Sequence, residues 1–337
     1  MTSSNDKVIN VYLDCHHLKD ILFLGVLSIA QNRGKELFTF EFAKDAIDCD
    51  SIRTYLPDVQ VGEGHFYLSD ENTGGLYKLL MDSAPDRWGR VLLKKKSLLN
   101  AKKAMKNTQK MLFESDYLLS IADVSRMGAL RFQDPNSEEF LSANENAIPP
   151  ITEIRTLENI CKKIENDDEV DEWLEQLIAP GTSLGGARPK ANIVNTNGVL
   201  YIAKFPSNKD DSDTGLWEYL TNRLAKKAAI NVPDCEPVKL NSDYTTLLIE
   251  RFDRTAGNRL HFVSAMALTQ HNDGDEDASY LEIVEFIKRY GRDAKTNLQQ
   301  LWRRIVFNIA ISNGDDHLRN HGFLLENDGW GSLKPTT

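Results

Sequence analysis

The sequence predicts an α+β protein. Strand-like segments cluster at the start of the chain. A β-hairpin closed by Asn195-Thr196-Asn197-Gly198 stands in the middle, between helical stretches. A long amphipathic helix lies near the end. The 337 residues suffice for two or three units that each bury a core.

The elements follow in order. Residues 8–13 read as a strand, followed by Phe23 to Ser28 and Glu36 to Phe42, with Asn32-Arg33-Gly34-Lys35 as a turn. A helical region is expected from about Gly75 to Lys110, where Leu76, Leu79, Leu80 and Met81 fall at helical spacing. Asp116 to Ala122 reads as a short helix and Ala129 to Phe132 as a strand. Residues 134–150 are polar, end in Pro149-Pro150 and read as a linker. Leu157 to Leu177 is an acidic helical stretch with a solvated face. Strands Ala191 to Val194 and Val199 to Phe205 flank the hairpin turn. Alternation puts Tyr201, Ala203 and Phe205 on one face and Leu200, Ile202 and Lys204 on the other. A helix is expected from Gly215 to Ala229 and a strand from Tyr244 to Phe252. From there to Ser312 the pattern is helical, with Leu298, Leu301, Trp302, Ile305, Val306 and Ile309 as a buried face.

Composition narrows the function. Forty basic residues against 50 acidic ones give a net charge of −10, with 41% hydrophobic and 27% charged residues. Such a chain is not disordered overall, and it is no general binder of polyanions, since net negative charge repels phosphate. The stretch rich in lysine between Arg90 and Lys110 reads as solvated surface, with a face turned toward a polyanion or a partner protein as the alternative. No run approaches the roughly 18 apolar residues of a membrane span, and the first residues lack a secretory pattern. Cys15, Cys49, Cys161 and Cys235 show no metal spacing and read as reduced thiols. A cytoplasmic protein without a membrane partner is the expectation.

Two constellations carry chemistry. The first is the loop Gly181-Thr182-Ser183-Leu184-Gly185-Gly186-Ala187-Arg188-Pro189-Lys190. Glycines let backbone N–H groups approach phosphate oxygens, although a Gly-Gly pair alone most often marks a tight turn. Here Lys204 follows on the next hairpin among apolar residues. A lysine in that setting needs an anionic partner, and Glu218 on the following helix is the candidate. Loop, strand lysine and helix glutamate in this order make up the ATP-positioning set of a protein kinase. The second is Asp315 and Asn320, five apart in the run Ser312 to Asn320. In a kinase catalytic loop such an aspartate accepts the proton of the attacking hydroxyl and such an asparagine holds Mg²⁺. Read alone, the same run is a helix end followed by solvated charges.

With these stretches in view the sequence resembles the HipA-type serine/threonine kinases, toxins of HipA–HipB toxin–antitoxin pairs. The resemblance rests on Ala84 to Arg90, Asp116 to Leu119, Arg126 to Phe132, Ser183 to Lys190, Glu250 to Arg254 and Asn313 to Phe323, in that order. It implies a protein-kinase-like two-lobed fold with an additional small N-terminal α/β subdomain. The implied units are 1–135, an N-terminal subdomain; 136–253, a kinase N-lobe; and 254–337, a helical C-lobe. The resemblance further implies an ATP site formed by Ser183, Leu184, Gly185, Gly186, Ala187 and Lys204. Glu250 and Phe252 would form the hinge at the adenine, with Asp253 near the ribose. It makes Ser183 the autophosphorylated residue, Asp315 the catalytic base and Asn320 a Mg²⁺ ligand, with Glu218 and His317 in support. The implied cofactors are ATP and Mg²⁺. The implied partners are a HipB-like antitoxin and a protein substrate of the aminoacyl-tRNA synthetase kind. DNA would be reached only through the antitoxin, because no reader of DNA is visible in this chain.

The sequence departs from the family at one place. The family's second metal-binding aspartate follows a stretch like Trp-x-Leu-x-Pro-x-Tyr-Asp, whereas here Trp330-Gly331-Ser332-Leu333-Lys334-Pro335-Thr336-Thr337 closes the sequence. By the resemblance the C-lobe is incomplete. The chain is then either an active kinase toxin, a kinase completed by a second polypeptide, or an inactive truncated relative that still binds antitoxin or nucleotide. Asp316 could replace the carboxylate on charge grounds, but it adjoins the catalytic residue. The helix around Leu298–Ile309 would then keep an uncovered apolar face or meet a partner.

Overall fold

The computed structural model describes residues 6–32, 34–57, 59–68, 78–103, 111–143, 148–166, 174–181, 186–269, 271, 275, 278–326 and 329–335. The first sheet is built from β1 (Lys7–Leu13), β2 (Leu22–Asn32), β3 (Lys35–Phe42), β4 (His65–Tyr67) and β5 (Leu130–Gln133), in the order β4-β3-β2-β1-β5. Its pairings are antiparallel. Alternating apolar residues such as Val11, Leu13, Phe38 and Phe40 turn to the core, as the period of a pleated strand requires. The short helices α1 (Lys44–Ile47) and α2 (Ile52–Tyr55) lie between β3 and β4.

Next come α3 (Arg87–Lys103), α4 (Glu114–Leu119), α5 (Ile154–Glu165) and α6 (Leu174–Gly181). The second sheet holds β6 (Lys190–Val194), β7 (Leu200–Lys204), β8 (Cys235–Val238) and β9 (Thr246–Glu250), ordered β6-β7-β9-β8, with α7 (Thr214–Lys227) inserted between β7 and β8. One face of this sheet buries Ala191, Ile193, Ala203 and Leu248 in a cluster with Trp88, Leu92, Leu157 and Leu177 of the helices. The opposite face carries Ile202, Leu247 and Ile249, which pack with Tyr219 of α7. The last part contains the hairpin β10 (Arg254–Thr255) and β11 (Asn258–Arg259), then β12 (Phe262–Ser264), α8 (Ala265–Thr269), α9 (Tyr280–Tyr290), α10 (Ala294–Ala310), β13 (His321–Glu326) and β14 (Gly329–Pro335). Strands β12, β13 and β14 form a third sheet. The main apolar core is continuous from the first sheet into residues 263–330.

The mixed α/β character follows the sequence pattern, with local differences. Of the helical region expected from about Gly75 to Lys110, residues 75–77 and 104–110 lie outside the described residues; the described part holds a 3-10 segment, Lys78–Ser83, and then α3 from Arg87. Pro85 explains the break, because proline restricts the residue before it away from helical angles. The acidic stretch is described as two helices, α5 and α6. Residues 254–264, expected to be helical, form β10, β11 and β12. The cause is local: Ala256 (φ 46°) and Gly257 (φ 83°) both take left-handed angles, the two-residue turn that matches strand twist. On α10, Leu301 is buried and Leu298 and Ile305 pack against the core, but Trp302, Val306 and Ile309 are 64%, 43% and 74% exposed. The apolar arc of this helix is wider than the stripe that the core covers.

Candidate functional site

The second sheet and α7 position the first cationic group. Lys204 ends β7 on the same face as Ile202, and its ammonium pairs with the carboxylate of Glu218, one turn into α7. The start of α7 is fixed against the strand beside it. Asp213 caps the helix by accepting from Leu216 N at 3.1 Å, and it accepts from Thr245 N at 2.8 Å and from Thr245 Oγ1 at 2.7 Å. Burial pushes the Asp213 pKa up, but these bonds and Lys239 outweigh it and hold the carboxyl down at about 2. Gly215 allows the approach, since a Cβ there would fall 2.1 Å from Thr245 O. Glu218 is thus carried on a helix end that cannot drift from the sheet.

Glu218 lines a cavity of about 160 Å³ with Leu247 and Ile249 of β9, Asn308 of α10, and Asn313, Asp316, Asn320 and His321 of the following loop and strand. One residue of each constellation, Glu218 and Asn320, therefore lines the same cavity, while Lys204 and Asp315 are not among its lining residues. In the loop, Asp315 is exposed and its carboxylate has no hydrogen-bond partner among the described residues. Its backbone is held: Asp315 N donates to Asn313 Oδ1 at 3.2 Å, and Asn320 Nδ2 donates to Asp315 O at 2.7 Å. Asp316 is the reverse case. Its carboxylate accepts from Tyr280 Oη at 2.5 Å, Asn308 Nδ2 at 2.7 Å and His321 Nε2 at 2.9 Å. Burial pushes its pKa up, and the bonds from His321, Tyr280 and Asn308 overcome this and hold it below the ordinary range. Asp316 is thereby fixed in place, and Asp315 faces solvent.

The other expected residues divide. Ser183, Leu184 and Gly185 lie outside the described residues. Gly186, at φ +96°, and Ala187 are exposed at the loop exit, while Gly181 closes α6 instead of opening the loop. Glu250 ends β9 and lines a different cavity of about 700 Å³, together with Leu200, Arg254 and Gly257, away from Glu218. Phe252 is half-buried and packs on Phe262, with ring centroids 5.2 Å apart. His317 is exposed, and its carbonyl accepts from Asn320 N at 2.8 Å.

Asp253, expected near the ribose, is engaged by protein groups. It is 1% exposed and accepts from Arg251 Nη2 at 2.7 Å, Arg254 Nη1 at 2.6 Å and Gly128 N at 2.9 Å. Burial raises its pKa, and the charges of Arg251 and Arg254 overcome this and keep it well below the usual carboxylate range. Its oxygens are already engaged, so it acts as a joint between the end of β9 and residues 126–128.

Two groups were not singled out in the sequence. Lys190, the cross-strand partner of Lys204, is buried and donates to Asp86 Oδ2 at 2.9 Å. His321 anchors Asp316. All of these residues stand in the stretches that carry the resemblance, but their pairing is tertiary. Buried charge in a motif, Lys190 directly after Pro189 and before an apolar strand, was the available signal.

The comparisons agree with this architecture. Residues 182–336 match the family model for the HipA-like C-terminal domain. That part of the chain is HipA-like. The structure of the chain superposes on that of HipA from Shewanella oneidensis, solved in complex with HipB and operator DNA. The TM-score is 0.62 at 18% identity, over 98% of this chain and 75% of that one, a likeness that shows the fold. Among curated proteins, a Haemophilus influenzae protein named "Putative kinase" is 27% identical over 177 residues, 46% of this chain and 51% of that protein. A Sinorhizobium fredii protein named "Putative kinase Y4mE" is 24% identical over 172 residues, 44% of this chain and 39% of that protein. The alignments thus span about half or less of these relatives. Among the described residues, no helix is long and apolar enough to cross a membrane.

Proposed function

We propose that this chain binds ATP with Mg²⁺ between the second sheet and the Asn313–Asn320 loop, and transfers the γ-phosphate to a serine or threonine. The observation that carries the reading is the single cavity onto which Glu218, partner of Lys204, and the loop residues Asp316 and Asn320 converge. The groups suit the cofactor. An ammonium held by a carboxylate matches phosphate oxygens, and the amide oxygen of Asn320 is a hard ligand of the kind Mg²⁺ accepts. Bound Mg²⁺ would neutralise charge on the phosphoryl group in flight. Lys204 orients phosphate, Glu218 holds Lys204 in place, and Asp315 takes the hydroxyl proton. Asp316, tied to Tyr280, Asn308 and His321, keeps the loop from shifting.

The finer assignments come from the resemblance. The substrate would be a cytosolic protein of the aminoacyl-tRNA synthetase kind, and Ser183 would be phosphorylated in turn. The chain would be held by a HipB-like antitoxin, as the Shewanella protein assembles with HipB and DNA. The units proposed are 1–135, 136–253 and 254–337. One observation favours the alternative of an inactive relative that still binds nucleotide or antitoxin. Asp316, the carboxylate that could have served as a second metal ligand, is committed to three protein donors.

Incubation with radiolabelled ATP, Mg²⁺ and a cell extract tests the reading. The expected result is label on Ser183 and on an extract protein, reduced by about 10²–10⁴-fold in Asp315→Asn. ATP binding without any label would establish the inactive relative.

A further inference from the structure

We infer that Asp86 is a positioning residue of the nucleotide site, holding Lys190 and the exit of the glycine-rich loop from outside the sheet. The inference rests on the ATP reading above. Asp86 has two tasks. Its Oδ1 caps α3 by accepting from Gly89 N at 2.7 Å, and its Oδ2 accepts from the Lys190 ammonium at 2.9 Å. The neighbouring Trp88 makes two more bonds to the same place: its backbone N donates to Gly186 O at 3.3 Å, and its indole donates to Lys190 O at 3.0 Å. One helix start therefore grips the loop exit at its first and last described residues, Gly186 and Lys190.

The grip bears on ATP because of what it holds. Lys190 stands directly across from Lys204 in the β6–β7 pairing. Its ammonium lies so close to Gly186 that a Cβ there would sit 3.1 Å from it. Lys190, Lys204 and the backbone at Gly186 thus stand together at the loop exit, cationic and polar groups of the kind that bind phosphate. Side chains of Lys190 and Asp86 are 2% and 3% exposed, so neither charge has water to fall back on. Burial lowers the Lys190 pKa, and Asp86 works against that loss. Without the carboxylate, the lysine gives up its proton at lower pH, and the loop exit loses this bond while keeping the two from Trp88.

The test is titration of the full chain with Mg·ATP by calorimetry, across a pH series, with melting temperatures recorded. Asp86→Asn keeps size and the helix cap. It is expected to bind ATP about tenfold more weakly than wild type, a loss of ~1.4 kcal/mol. Its affinity should also fall with rising pH from a lower pH than in wild type, a shift that a purely structural role would not produce. The double variant Asp86→Asn with Lys190→Met buries no unpaired charge and serves if the single variant does not fold. It should keep the melting temperature and show the same weak binding without the new pH dependence. If either folded variant binds ATP within about twofold of wild type at every pH, the inference is overturned. If wild type itself binds no ATP, the nucleotide reading fails, and this inference with it.

Discussion

The joint between the N-terminal elements and the second sheet contrasts with the cleft beside it. At the joint, charge is buried and bonded within the protein. Arg251, Asp253, Lys190 and Asp86 are each 4% exposed or less, and Arg126 donates to the carbonyls of Ser83, Leu118 and Ile121. In the cleft, Glu218 keeps 31% of its side chain exposed and Asp315 lies open to solvent. Both regions use the same residue types. The difference is what remains available: the joint spends its charges on geometry, while the cleft keeps them within reach of a ligand. A motif residue therefore declares its role only through burial. Asp253 and Asp315 stand equally inside matching stretches, and only one of them has an oxygen to offer.

The largest effect expected is at the joint. Asp253→Ala would leave Arg251, with no side-chain exposure, without its carboxylate, a change that typically costs ~3–5 kcal/mol. Urea unfolding should show the loss as a lower midpoint. A variant that unfolds like wild type but binds ATP poorly would return Asp253 to the ribose and break the contrast.

The next effect is a matter of pH. His261 is buried beside Trp330, and its Nε2 meets Tyr55 O at 3.0 Å. Burial lowers its pKa from 6.5 to about 4, with the bond to Tyr55 opposing. The unfolded chain therefore takes up a proton at higher pH than the folded one. The stability from neutral His261 is complete above 6.5, falls as pH drops, and is gone below about 4, a change of about 3 kcal/mol. Unfolding curves between these limits should show it, and His261→Phe should flatten it.

Much of this was legible in the sequence. Alternation located β7 and sorted its faces, with Ala203 on one side and Ile202 on the other. The ordered stretches, from Ala84–Arg90 to Asn313–Phe323, carried the resemblance to the HipA type, and residues 182–336 match its C-terminal family model. What escaped was tertiary. Nothing local joins Asp86 to Lys190 across 104 positions, or marks Asp316 as the bonded aspartate and Asp315 as the open one. The hairpin at Ala256-Gly257 was hidden because alanine rarely adopts a left-handed angle.

The smallest effect on stability is expected in the cleft. Glu218 is about one-third exposed, so its pair with Lys204 is partly screened, and such pairs contribute ~0–1 kcal/mol. Glu218→Gln should then shift the urea midpoint hardly at all. Its cost should appear in function, because Lys204 loses the charge that directs it toward phosphate. Phosphate labelling should slow by about tenfold while the fold persists. A loss of stability as large as that of Asp253→Ala would mean that the Lys204–Glu218 pair is itself part of the joint. The open side of the site would then reduce to Asp315, Asn320 and the exit of the glycine loop.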